Sequence, residues 1–245
     1  MERNIGRLNW KEIKNLVPER INTCILPVGT MEAHGVTATG TDIIIPRYLS
    51  DKIAEKFDFL TAPEIPYGIT HSLLPYPGSI TVDDRTFEEY VHGVLIGLKK
   101  TGFKRVIIMN GHGGNNQVLD DLAFRIYRET GLFCAVIHWW ILCSELTKEF
   151  FGEAGAHAGV DENGMILAIA PELVKEELLE EDDIYLYSSG LRAVPIPGSV
   201  ITYKKGEGKP RFNREEAVKF SEKVVDCIGE HITRVLKGWN KLDGL

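Results

Sequence analysis

The stretch Arg105-Val106-Ile107-Ile108-Met109-Asn110 runs directly into Gly111-His112-Gly113-Gly114-Asn115-Asn116, and the reading of this passage decides the fold. A short apolar run bounded by a charged residue and a glycine-rich turn has the pattern of a buried strand. The pattern after the turn predicts a helix over residues 116–129, and the apolar run 132–139 predicts a further strand. Strand, turn, helix and strand in this order make a βαβ unit. Strands that are apolar throughout, rather than alternating, belong to a parallel sheet covered on both faces.

Working outward, the same alternation repeats. Thr23-Cys24-Ile25-Leu26-Pro27-Val28 reads as a buried strand and residues 59–65 as another. Between them, residues 47–57 have helical spacing, with Leu49, Ile53 and Phe57 on one stripe. Residues 84–100 form a predicted helix that starts acidic, places Tyr90, Val94 and Leu98 on one face and stops at Lys99-Lys100-Thr101-Gly102. Residues 161–170 read as a helix ending before Pro171. A last helix opens at Asn213, with Glu216 completing a capping box, and runs to about residue 237. No repeat, low-complexity tract or linker divides the chain. The expectation is one α/β domain over residues 1–245, a three-layer sandwich whose mainly parallel sheet is flanked by helices.

Composition narrows the function classes. With 28 Lys+Arg against 35 Asp+Glu, the formal net charge is −7, which lacks the basic footprint of a nucleic-acid binder. No apolar stretch approaches the roughly 20 residues that cross a bilayer. The N-terminal residues lack the apolar core of a secretory signal, so a cytoplasmic address is expected. Cys24, Cys134, Cys143 and Cys227 are scattered, with no Cys-x-x-Cys pair, which argues against a disulfide framework or a cysteine zinc site.

Ligands of such folds collect at the carboxyl ends of the strands, and polar residues interrupt the core pattern in three places. The first is Pro27-Val28-Gly29-Thr30-Met31-Glu32-Ala33-His34-Gly35, followed by Asp42. In an extended segment Glu32 and His34 share a face. Two carboxylates and an imidazole suit zinc, manganese or iron. The other reading is a polar loop with Asp42 capping a helix. The second place is the turn around His112, where glycines let the backbone approach whatever the imidazole touches. It is neither a dinucleotide fingerprint nor a phosphate loop. An anion site on the Gly111–Gly114 turn, in a non-catalytic nucleotide- or metabolite-binding module, is its rival reading. The third is Ala156-His157-Ala158-Gly159-Val160-Asp161-Glu162. His157 and Glu162 converge if the first lies in a loop and the second in the opening turn of a helix; Asp161 reads as an ordinary helix-terminal acid. His71 lies near a strand end. The aromatics of His138-Trp139-Trp140 suit either a core or a wall against a flat substrate. His92 and His231 read as surface or packing residues.

Together these blocks resemble the creatininase (creatinine amidohydrolase) family, and Tyr67-Gly68 through Tyr76-Pro77-Gly78-Ser79 resembles a fourth block of it. The resemblance spans residues 21–171, and Asn-Gly-His-Gly-Gly-Asn is its most specific part. It implies a creatininase-like α/β fold with two divalent metal ions per chain (zinc, manganese or iron), bridged by an aspartate. A water activated by the metals would attack a cyclic amide or a formamide of a small molecule. It also implies self-association into a homo-oligomer, often a hexamer. Carried over, Glu32 and His112 hold one metal, His34 and Glu162 the other, and Asp42 bridges them. His157 serves as proton donor or oxyanion stabiliser, with Glu162 counted beside it among the catalytic groups. Gly113, Gly114, Ser79 and His71 lie on the substrate side. The departures are Thr37 in place of a second histidine, an interval from Glu32 to Asp42 one residue short, and Gly113-Gly114 where creatininase carries Tyr-Glu. The last removes a carboxylate and an aromatic, which argues against creatinine as substrate. The charges are consistent with a metal pair: three carboxylates balance two divalent ions and one hydroxide.

Overall fold

The computed structural model describes residues 1–242. In chain order the main elements are α1 (Trp10–Leu16), β1 (Thr23–Val28), α2 (Thr41–Phe57), β2 (Leu60–Thr61), α3 (Asp84–Thr101), β3 (Arg105–Asn110) and α4 (Asn116–Thr130). They are followed by β4 (Phe133–His138), α5 (Trp139–Leu142), α6 (Ser144–Phe151), α7 (Val160–Ile169), β5 (Ile184–Leu186), β6 (Val200–Thr202) and α8 (Arg214–Leu242).

The main sheet has the order β2-β1-β3-β4, every pair parallel. From β1 the chain leaves toward β2 on one side, and from β3 toward β4 on the other. Right-handed crossovers in opposite directions place their helices on opposite faces. The side chains alternate accordingly. Cys24, Leu26, Val28, Val106 and Ile108 pack with Val91, Leu95, Leu119 and Leu122 of α3 and α4. Ile25, Ile107 and Met109 pack with Ile45, Leu49 and Ile53 of α2, Met165 of α7, and Phe220, Val224 and Ile228 of α8. This is the expected three-layer α/β sandwich. Between β1 and β3 lies the point where the strand order reverses. Register holds their ends level, Val28 opposite Asn110 and Asn110 opposite His138, so the segments after both strands emerge side by side.

The expected elements are present with adjusted ends. α2 starts at Thr41 rather than at residue 47, running through Pro46. Pro46 has no N–H to give the Asp42 carbonyl one turn back. That carbonyl packs instead against Gly111, where a Cβ would stand 2.2 Å from it. β2 is cut to two residues ahead of Pro63, although the chain continues extended and Ile65 still exchanges hydrogen bonds with Pro27 and Gly29. In α3 the buried face is Phe87, Val91, Leu95 and Leu98. Tyr90 points outward, which corrects the stripe read from spacing. Trp139, read as the end of a strand, opens α5. The sequence reading did not foresee α1, α6 or the small parallel pair β5-β6. All four cysteines are free. Among the described residues, no helix is long and apolar enough to cross a membrane.

Candidate active site

Each polar block reaches the site through a different element. After β1 the chain bends back: the Glu32 amide bonds the Thr39 carbonyl, and the Ala33 amide bonds Ser79 Oγ at 3.0 Å. Thr37 donates its hydroxyl to the His34 carbonyl at 2.9 Å and so has a structural role. Asp42 lies in the first turn of α2, but that helix has no side-chain cap, so the capping reading is set aside. His112 leaves β3 on the glycine turn. The turn is locked by Asn110, which bonds the His112 amide and carbonyl, and by Asn115, which bonds the Gly29 carbonyl and the Ile69 amide. The amides of Gly111, His112 and Asn115 are thereby committed to Val28, Asn110 and His112, so the turn aims an imidazole and has few donors left for a phosphate. His157 exchanges backbone hydrogen bonds with Ile201 of β6, and Glu162 sits in the first turn of α7.

The side chains converge in a buried cluster. Glu32, His34, Asp42, His112 and Glu162 are all under one-tenth exposed. Asp42 faces two ways: Oδ1 lies 2.9 Å from His34 Nε2, and Oδ2 lies 2.8 Å from His112 Nδ1. Glu32 Oε1 is 3.3 Å from His112 Nδ1 and 3.7 Å from His157 Nδ1, while Glu162 Oε2 is 3.6 Å from His34 Nε2. Two carboxylate–imidazole sets thus share Asp42: Glu32, Asp42 and His112 form one, and His34, Asp42 and Glu162 the other. Glu32, His34 and His157 also group closely, with ligand atoms of each set within 4.8 Å of one another.

Each of the three imidazoles in the cluster has one nitrogen tied to a backbone carbonyl and the other turned inward. His34 Nδ1 donates to the Glu32 carbonyl at 3.1 Å, His112 Nε2 to Ile69 at 2.7 Å and His157 Nε2 to Ala33 at 3.0 Å. A carbonyl can only accept, so it fixes a hydrogen on that nitrogen and leaves the opposite nitrogen facing the cluster, where loss of its proton would free a lone pair for a metal. Glu32 Oε2 is oriented by the Thr70 hydroxyl at 2.8 Å, and Glu162 Oε2 by the Ala158 amide at 2.6 Å. Ala158 holds a left-handed φ of 54° to make that turn, a strained conformation for a residue with a Cβ.

Electrostatics show what the cluster needs. Burial opposes charge on His34 and His112, but the carboxylates against them win, raising His34 to about 10 and His112 to about 9. The same contacts hold Asp42 well below the carboxylate range despite its burial. Burial raises Glu32 and lifts Glu162 to about 8. Burial and the neighbouring His34 charge push His157 down to about 3, leaving it neutral. Without a metal, extra protons on His34 and His112 supply the positive charge. His34 Nε2, for all its nearness to Asp42, makes no well-directed hydrogen bond and is an orphaned buried atom. A hard carboxylate–imidazole donor set with an orphaned, inward-facing nitrogen fits divalent cations.

The cluster forms the floor of a cleft of about 1450 Å³. Gly113, Gly114 and His71 line it, His71 at an exposed position near Asp84, but Ser79 does not: it stands behind the loop, holding Ala33. Asp161 accepts from the Ala156 amide at 3.0 Å, a local structural role as expected. Of the two tryptophans, Trp139 is core and Trp140 lines the cleft, while His138 is tied to Asn110 and Asp120. His92 pairs with Glu129, and His231 bonds its own helix. Sequence reasoning missed Thr70, the Ile69 carbonyl and the wall carrying Tyr185, Tyr187, Arg192 and Tyr203. Thr70, beside His71, lay within a flagged block; the wall follows the last recognisable motif and gave no signal.

Comparison with known proteins identifies the family. The creatininase family model, described as creatinine amidohydrolase, matches residues 6–221. Creatinine amidohydrolase of Pseudomonas putida is 29% identical over 189 residues, covering 69% of this chain and 73% of that protein. A 3-dehydro-scyllo-inosose hydrolase of Thermotoga maritima is 30% identical over 190 residues, 72% of this chain and 60% of the relative. A creatininase crystal structure superposes with a TM-score of 0.81 at 25% identity, covering 95% of this chain and 97% of the other. Related creatininase structures include a manganese form and a zinc–zinc form. The chain belongs to the creatininase family of amidohydrolases.

Proposed function

We propose that this chain hydrolyses a non-peptide C–N bond, in a cyclic amide or formamide of a small molecule, at a centre of two divalent ions. The observation that carries the reading is the orientation of the three imidazoles, each pinned through one nitrogen to a carbonyl with the other aimed at shared carboxylates. Glu32 and His112 would hold one ion, His34 and Glu162 the other, and Asp42, with one oxygen toward each imidazole, would bridge them. When bound, such ions act as Lewis acids and bring the pKa of water to about 7. Zinc, manganese and iron all suit these donors.

The chain's own groups handle the proton. With its Nε2 hydrogen given to Ala33, neutral His157 presents a bare Nδ1 to the cluster, so it acts first as an acceptor. It takes the proton of the attacking water and then delivers it to the departing nitrogen, which keeps the proton-donor alternative and sets aside the oxyanion stabiliser. Gly113 and Gly114 leave the floor open, and in a cleft of about 1450 Å³ a ring the size of creatinine would fill a small part. A substrate larger than creatinine follows from that space. A cytoplasmic address and self-association belong to the same reading. The test is turnover of a panel of lactams, cyclic ureides and formamides before and after chelation. Metal-dependent release of an amine or ring-opened acid supports the proposal. No turnover of any amide by the metal-loaded protein overturns it.

A further inference from the structure

Residues 184–203 build one wall of the cleft, and this wall carries two donors without partners. Arg192 lines the cleft from an exposed position, and among the described residues it has no hydrogen bond or ion pair. The other basic groups of the lining are accompanied: Lys204 bonds Glu207, Lys148 lies in the field of the same Glu207, and His71 stands 3.4 Å from Asp84. The second donor is the Tyr185 hydroxyl, which is buried and lacks any partner. Leaving a buried hydroxyl unbonded is unfavourable, so such a group points to an absent acceptor.

The wall is held in place rather than loose. Tyr76 Oη accepts from the Gly198 amide at 2.6 Å and donates to the Ile196 carbonyl at 2.9 Å, and the Ile196 amide bonds Ser72 at 3.0 Å. β5 and β6 pair on either side of the Arg192 loop, so the loop is anchored through both of its strands. In a chain of net charge −7, an uncompensated guanidinium over a cleft whose floor holds three carboxylates is a local exception in potential.

We infer that the substrate carries an oxyanion group, a carboxylate or a phosphate, bound by Arg192 and Tyr185 Oη while its amide reaches the floor. The inference rests on the amidohydrolase reading for the identity of the reacting group, though not for the anion site itself. Guanidinium and phenol together offer the planar and single donors that such a group accepts.

The test has two arms. In the first, inorganic phosphate and acetate are titrated calorimetrically into metal-stripped protein, so that no bound ion competes for the anion. Wild type should bind at least one of them, Arg192→Gln should abolish that binding and Tyr185→Phe should weaken it. The tighter anion identifies whether phosphate or carboxylate is recognised. In the second, metal-loaded enzyme is assayed with an N-formyl amino acid and its neutral carboxamide. Arg192→Gln should raise KM for the anionic substrate roughly five- to tenfold, leaving kcat and the neutral substrate unchanged. Equal anion binding by wild type and Arg192→Gln, or an equal effect on both substrates, overturns the inference. Anion binding through Arg192 with no amide turnover sinks the amidohydrolase reading and leaves the anion site standing.

Discussion

Two adjacent glycines predict opposite outcomes for the same added methyl group. A Cβ on Gly114 would stand 2.0 Å from the Ile69 carbonyl oxygen and 2.6 Å from His112 Nε2, the two atoms joined by a 2.7 Å hydrogen bond. Ile69 cannot easily yield, because its amide is bonded to Asn115 Oδ1 at 3.0 Å. A Cβ on Gly113 would meet nothing nearer than Trp140 Cζ2 at 3.8 Å, an ordinary contact. Gly114→Ala therefore costs overpacking of about 1–3 kcal/mol and a hydrogen bond of about 0.5–1.5 kcal/mol, together about 1.5–4.5 kcal/mol. For a chain of this size that lowers Tm by roughly 5–15 °C. The broken bond is also the one that fixes the His112 tautomer, so metal affinity should fall roughly 10- to 100-fold. Thermal melts of metal-free protein and competitive metal titrations of both variants read these quantities. Gly113→Ala should match wild type in both. Coincident melts and equal metal affinities for the two variants would refute the assignment of the His112–Ile69 bond.

Further predictions concern the other members of the cluster. In metal-free protein, His34 and His112 titrate at about 10 and about 9, above the usual imidazole value near 6.5. Their extra bound protons stabilise the fold below that value, and the contribution is lost as pH rises. Glu162, raised to about 8, acts in the same direction, so metal-free protein should lose stability between about pH 6.5 and 10. Denaturant midpoints across that range check this, and a rising trend would contradict it. Thr70→Val removes the donor to Glu32 Oε2, and metal affinity should drop roughly tenfold with the fold intact, as read by metal titration and circular dichroism. His157→Gln should retain its metal yet lose roughly 10²- to 10⁴-fold in kcat, as expected of a proton shuttle; loss of metal in parallel would make His157 a ligand instead.

The legible parts of the molecule were those in which neighbours in sequence are neighbours in space. β3, its glycine turn and α4 follow from one continuous pattern, and their observed ends differ from the reading by a residue at most. Glu32 and His34 share a face because an extended segment alternates. The start of α2 was obscured by Pro46, which usually interrupts a helix but lies inside this one. What could not be read depends on long-range partners. The tautomers rest on the carbonyls of Ile69 and Ala33, supplied by segments distant from His112 and His157 and carrying no side-chain signature. β6 holds His157 through backbone bonds alone, and the three residues of β5 are too few for periodicity to announce them. Ser79 shows the limit of motif reasoning: it is close to the site yet braces Ala33 from behind the loop.

The central claim, that Asp42 joins two metal sites, is tested most directly by elemental analysis of protein purified without added metal or chelator, then reconstituted. Wild type should carry close to two divalent ions per chain. Asp42→Ala should fall toward none, since both imidazoles that face its oxygens lose their shared carboxylate. Retention of two ions by Asp42→Ala, or a wild-type value that stays near zero after reconstitution, would contradict the account.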